Sequence, residues 1–154
     1  MEQTDGITTA TSAPPSVAPS GVPAPGGRGG AAAARAYAES VARARWGGPG
    51  RDVREEDVAD LLLVVSELVT NAIRHGEGLT GFEVRPTDEG LWIAVSDGSS
   101  VVPRAAYAFP TTHPGGGYGW PLVTLLARDI AVAAHPGGGK TISALVPLRA
   151  VPAP

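Results

Sequence analysis

The stretch "VREEDVADLLLVVSELVTNAIRH", residues 53 to 75, runs without glycine or proline until Gly76 and decides how the rest of the chain is read. At 100° per residue, Val58, Leu61, Leu62, Val65, Val69 and Ala72 fall on one apolar stripe, so the stretch reads as a long amphipathic helix. Asp52 stands just before it as an N-cap residue. Glu67 and Asn71 lie nearly opposite the stripe, one turn apart, and His75 follows one turn later. A carboxylate and an amide so placed can act on one ligand, or they are simply the wet side of a helix.

Outward from this helix, "AAAARAYAESVARARW" from Ala31 is rich in strong helix formers and is stopped by Gly47-Gly48-Pro49-Gly50. On the other side, Thr80 to Arg85 and Leu91 to Ser96 read as an antiparallel strand pair joined by Pro86-Thr87-Asp88-Glu89-Gly90. Residues 97 to 119 carry prolines and glycines with no sustained period, which predicts a long loop, either functional or disordered. A short helix over roughly Trp120 to Arg128 then leads into Ile130-Ala131-Val132-Ala133, a strand. The segment "AHPGGGKTISALV", residues 134 to 146, imitates a phosphate-binding P-loop, but no helix pattern follows Lys140. Ile142, Ala144 and Val146 alternate, so the glycines close a hairpin into a last strand. Lys140 itself either assists a ligand or is solvated. Helix, helix, strand, strand, loop, helix, strand, strand predicts an α+β fold: a two-layer sandwich whose antiparallel-rich mixed sheet carries helices on one face.

Of the 154 residues, 1–30 stand apart as an Ala/Pro/Gly-rich tail, too poor in apolar residues to offset ordering entropy, and are expected to be disordered. Residues 31–150 then form one domain. The formal net charge of −3, with no basic cluster, argues against a direct nucleic-acid partner. No stretch approaches a membrane span, and no apolar run follows the acidic opening Met1-Glu2-Gln3-Thr4-Asp5, so no membrane partner and no secretory signal are expected. The absence of cysteine excludes disulfides and thiolate metal sites and is compatible with a reducing cytoplasm, the expected location. His75, His113 and His135 are scattered.

Three segments call for one explanation: "SELVTNAIRHG" at 66 to 76, "VSDG" at 95 to 98, and "GGGYGWPLV" at 115 to 123. Together they resemble the GHKL ATPases (histidine kinase-like ATPases), the superfamily of gyrase-type topoisomerases, heat-shock chaperones and sensor histidine kinases. The likeness is strongest to the branch of small anti-sigma factor serine/threonine protein kinases. It spans about Ala31 to Leu148 and rests most firmly on E-x-x-x-N-A-x-x-H, matched at Glu67, Asn71, Ala72 and His75.

The resemblance implies ATP and Mg²⁺ as cofactors, with Asn71 as metal ligand and Glu67 as the base that deprotonates an incoming protein hydroxyl. His75 either lies along the phosphates or only caps the carbonyl end of its helix, and Arg74 lies near the nucleotide or on plain surface. Asp97 is the expected acceptor for the adenine amine, with Gly98 beside it, although Asp97-Gly98-Ser99-Ser100 departs from the family's D-x-G-x-G. Gly117, Tyr118 and Gly119 are expected to form the lid over the phosphates, and Thr141 to hydrogen-bond a phosphate from the last strand.

By the same likeness, the protein would sequester a sigma factor, phosphorylate a small antagonist protein on Ser or Thr, and pair as a homodimer, with the first helix as a candidate surface. The alternatives are a catalytically inactive ATP-binding module of the same fold and an interaction protein with an empty nucleotide site.

Overall fold

The computed structural model describes residues 30–102 and 119–154. Residues 1–29 of the expected tail and the segment 103–118, which holds His113, Gly117 and Tyr118, lie outside them, while Gly30, assigned to the tail, opens the first helix. The chain forms α1 (Gly30–Trp46), β1 (Arg51–Val53), α2 (Glu55–His75), β2 (Leu79–Pro86), β3 (Gly90–Asp97), α3 (Gly119–Leu126), β4 (Arg128–Ala134), β5 (Lys140–Pro147) and β6 (Ala150–Pro152).

Four strands make one sheet in the order β2-β3-β5-β4, each pair antiparallel, and β1 and β6 make a second, two-stranded ribbon. Helices α1 and α2 pack on one face of the larger sheet, α2 over β3 and β5 and α1 beside β2, while α3 lies against α2. The expected two-layer α+β sandwich is therefore the observed architecture. Its core joins Leu61, Val65, Leu68 and Val69 of α2 to Phe82, Val84, Leu91, Ile93, Val95, Ile142, Ala144 and Val146 of the strands, every one buried. Those strand positions alternate, as a sheet with one covered face requires.

Helix α1 buries Gly30, Ala34, Ala38, Ala42 and Trp46, a ridge at every fourth residue. The small side chains let its backbone come close to α2, where Arg35 Nη1 donates to Ser66 Oγ at 3.2 Å. Arg43 adds an exposed link to both Glu39 and Glu55. The hydrogen bond from Arg43 holds the Glu55 carboxyl below its ordinary value. Any stability from this link is thus present above that range and fades as pH falls through the depressed value, and exposure keeps it small.

Three expectations need correction. Asp52 does not cap α2; it sits in β1 and its Oδ1 accepts from the Val53 N–H at 2.8 Å. The cap position belongs to Arg54, which makes no side-chain cap bond. Tertiary ties take over: Arg54 N–H donates to the Arg149 carbonyl at 3.0 Å, and Arg149 N–H donates to the buried Asp57 Oδ2 at 3.1 Å. Second, the buried stripe of α2 is wider than expected, because Val64 and Leu68 join it while Leu62 is only partly covered. Asn71 is about 60° from Leu68 around the helix, so Glu67 and Asn71 border the buried face instead of opposing it. Third, α3 ends at Leu126, and Arg128 already opens β4.

The P-loop look-alike is a hairpin turn, as expected. His135 N–H donates to the Gly139 carbonyl at 2.9 Å and Gly138 N–H to the His135 carbonyl at 3.1 Å. Gly138 and Gly139 take φ of 99° and 87°, which other residues adopt with strain. Substituting Ala38→Leu should force the two helices apart and cost about 1–3 kcal/mol, the usual penalty for overpacking. Urea unfolding of the full chain would show it as a lower midpoint with an unchanged slope.

Candidate functional site

Two contacts along α2 fix the site. At the C-terminal end, Gly76 lies so close to Asp97 that a Cβ there would stand 2.6 Å from Oδ2. Nine residues earlier, at Glu67, the approach is as tight: a Cβ on Gly119 would overlap the Glu67 carboxylate. At 1.5 Å per residue the two carboxylate-bearing ends are about 13.5 Å apart along the helix. Asn71 falls between them, half-buried on the side of Glu67, and among the described residues no hydrogen bond engages its amide. These two contacts tie the second half of α2 to β3 at one end and to the start of α3 at the other.

Glu67 faces the N-terminus of α3, whose unpaired N–H groups carry partial positive charge. Asp97 is 4% exposed, and its charge is met directly by Lys140: Nζ donates to Oδ1 at 2.9 Å and to the Ser99 carbonyl at 3.1 Å. Lys140 is equally buried, at 4%. The strand register explains the pairing, since Asp97 and Lys140 are direct cross-strand partners on β3 and β5.

That register also places two residues singled out in the sequence. Lys140 is not solvated. Thr141, the next residue, points to the opposite face, where its hydroxyl is 2.7 Å from both Ser96 Oγ and His135 Nε2. Alternation along a strand forbids both side chains from sharing a face, so the structure brings Lys140, not Thr141, to Asp97. The signal was present in the sequence: Lys140 shares the parity of Ile142, Ala144 and Val146.

The departure from D-x-G-x-G has a physical account. Ser99 N–H donates to Asp97 Oδ1 at 2.9 Å and Val101 N–H to Ser99 Oγ at 3.1 Å, while Gly139 N–H reaches Ser100 Oγ at 3.3 Å. The two serines brace the segment after Asp97 with side-chain-to-backbone bonds. Gly98 packs over the end of α2, 3.7 Å from the Gly76 carbonyl at its Cβ position. His75 and Arg74 are exposed at that end, and the helix is closed by Gly76 N–H donating to the Ala72 carbonyl at 3.2 Å. Of the lid, only Gly119 is described. No group of three or more His, Asp or Glu that could hold a metal exists among the described residues, so a divalent cation here would take Asn71 together with ligand oxygens, the pattern usual for Mg²⁺ with phosphates.

The family model for the histidine kinase-like ATPase domain matches residues 24–145. The chain belongs to that family. As a GHKL-type ATPase domain it is an ATP-binding fold. Comparison with curated proteins gave no significant match. No helix among the described residues is long and apolar enough to cross a membrane.

The histidine kinase-like ATPase fold tolerates a side chain poorly at Gly76, whose φ of −102° would itself suit alanine. Gly76→Ala should therefore destabilise by about 1–3 kcal/mol through collision with Asp97. Gly98→Ala, where a Cβ meets only ordinary contacts of 3.6 Å or more, should stay within about 0.5–1 kcal/mol of the parent. Equal losses in parallel urea titrations would contradict this steric account.

Proposed function

We propose that this histidine kinase-like ATPase domain is a protein serine/threonine kinase of the anti-sigma type, using ATP with Mg²⁺. The observation that carries the reading is the pairing of Glu67 and Asn71 one turn apart at the mouth of α3, with a second polar anchor at Asp97 and Lys140 about 13.5 Å along the same helix. A nucleotide laid along this half of α2 would have its base at Asp97 and its phosphates at Asn71 and Glu67. Asn71 would hold Mg²⁺, which supplies neutralisation of the phosphate charge. Glu67 takes the proton from the incoming Ser or Thr hydroxyl as that oxygen bonds to the γ-phosphorus and the bond to the β–γ bridging oxygen breaks, with ADP as the leaving group. The positive end of α3 beside Glu67 favours anionic phosphate oxygens. His75 and Arg74 are placed to meet ligand or partner from the exposed end of the helix.

The protein substrate would be a small antagonist of a sigma factor, and the sigma factor itself the sequestered partner, within the cytoplasm and on a homodimer of this chain. A non-catalytic ATP-binding module is the second reading, supported by the fact that Asp97 already has an internal partner in Lys140.

Millimolar ATP with Mg²⁺ should raise the melting temperature of the wild type, since a ligand present at about 100 times its Kd adds about 2.7 kcal/mol to the native state. Asn71→Ala should lose that rise. With labelled ATP and a candidate antagonist, Glu67→Gln should keep binding while transfer falls about 10²- to 10⁴-fold. Equal transfer by Glu67→Gln and wild type would rule out the assigned base, and binding without any transfer by the wild type would favour the module.

A further inference from the structure

The two edges of the larger sheet are finished differently. β2 carries Thr80, Glu83, Arg85 and a terminal Pro86, and α1 packs beside it. Charge, proline and a covering helix all keep an edge from pairing with another chain. β4, at the opposite edge, has none of the three between Ile130 and Ala134: all five residues are apolar. Six of the seven β4 residues are exposed, and among the described residues no strand pairs with its outer side. The free stretch has definite ends. A bulge between Arg128 and Ala131, with Asp129 at a φ of 52°, closes one, and Pro136, which has no N–H, closes the other.

The five residues between those ends complement themselves. In an antiparallel pair related by a twofold axis through Val132, Val132 faces its own counterpart, Ile130 faces Ala134 and Ala131 faces Ala133. Apolar meets apolar at each position, and no like charges stand opposite each other. Beyond the pair, Asp129 of each copy comes to the His135 of the other, acid against imidazole. The axis also keeps the two faces of the sheet continuous, because Val132 pairs with the buried Ile142 on the helix-covered side while Ala131 and Ala133 lie on the other. We propose that β4 is the edge through which this chain pairs with a second copy, joining two four-stranded sheets into one of eight strands. A seam of five residues buries less than a standard interface, so the dimer is weak and reversible. The inference assigns a surface to the homodimer of the reading above and does not depend on nucleotide binding or transfer.

Sedimentation velocity of the full chain over a concentration series should show a monomer–dimer equilibrium. Val132→Lys, confirmed as folded by circular dichroism, sets two ammonium groups opposite each other across the axis and should raise the dissociation constant about tenfold or more. Because the chain has no cysteine, Val132→Cys adds one thiol that the axis brings within disulfide reach of its copy. Mild oxidation should convert that variant to a covalent dimer, while Leu125→Cys, at an exposed position of α3, should crosslink far more slowly. No nucleotide enters either measurement, so failure of the kinase reading leaves the outcome legible. A wild type that stays monomeric at every concentration overturns the pairing and leaves the edge to an extended segment of another protein. A dimer that Val132→Lys does not weaken and Val132→Cys does not trap overturns it in favour of another surface, the first helix included.

Discussion

Helix α2 must bury one side against a sheet and still leave two polar side chains at the border of that side. Leu61, Val65 and Leu68 supply the burial, and Glu67 and Asn71 stand at its margin because 100° steps place them beside Leu68 and not among the core residues. The proposed site follows from this division. If the polar pair were fully opposite the core it would be in bulk water; if it were within the core, unpaired charge would cost several kcal/mol. At the margin it is partly screened and partly accessible, the condition in which a carboxylate can exchange protons with a ligand.

Two glycine contacts hold the second half of α2 against its neighbours. Gly76 and Gly119 lack side chains at the points where Asp97 and Glu67 approach. Their role is therefore spatial, not conformational, since neither has a positive φ. The buried ion pair at one end is a different kind of device. A pair such as Asp97 and Lys140 contributes little net stability once desolvation is counted, yet losing one partner leaves an uncompensated charge.

Much of this was legible in the amino-acid order, for local reasons. Helix α2, the β2–β3 hairpin and the hairpin turn before β5 are each encoded within a few residues by periodicity or by glycine placement, and the motif on α2 drew attention to Glu67 and Asn71. What escaped depends on distant partners. Asp52 looks like a cap until Arg149 and Asp57 are seen to hold the start of α2. Lys140 and Thr141 are neighbours in sequence, and only the register with Asp97 and Ser96 shows which of them meets the carboxylate. Lys140 looks wet because lysine usually is; its burial comes from a carboxylate 43 positions earlier. Strands β1 and β6, three residues each, have no period long enough to read.

That last ribbon has a consequence for how the chain is made. Asp52 pairs with Val151, so the junction between the first two helices is closed by residues translated nearly a whole domain later. A nascent chain emerging from the ribosome can collapse its helices and its first hairpin early, but this clasp has to wait until synthesis reaches the far segment. Contacts of such long sequence separation form slowly, so the closing of the clasp is a natural late event in maturation.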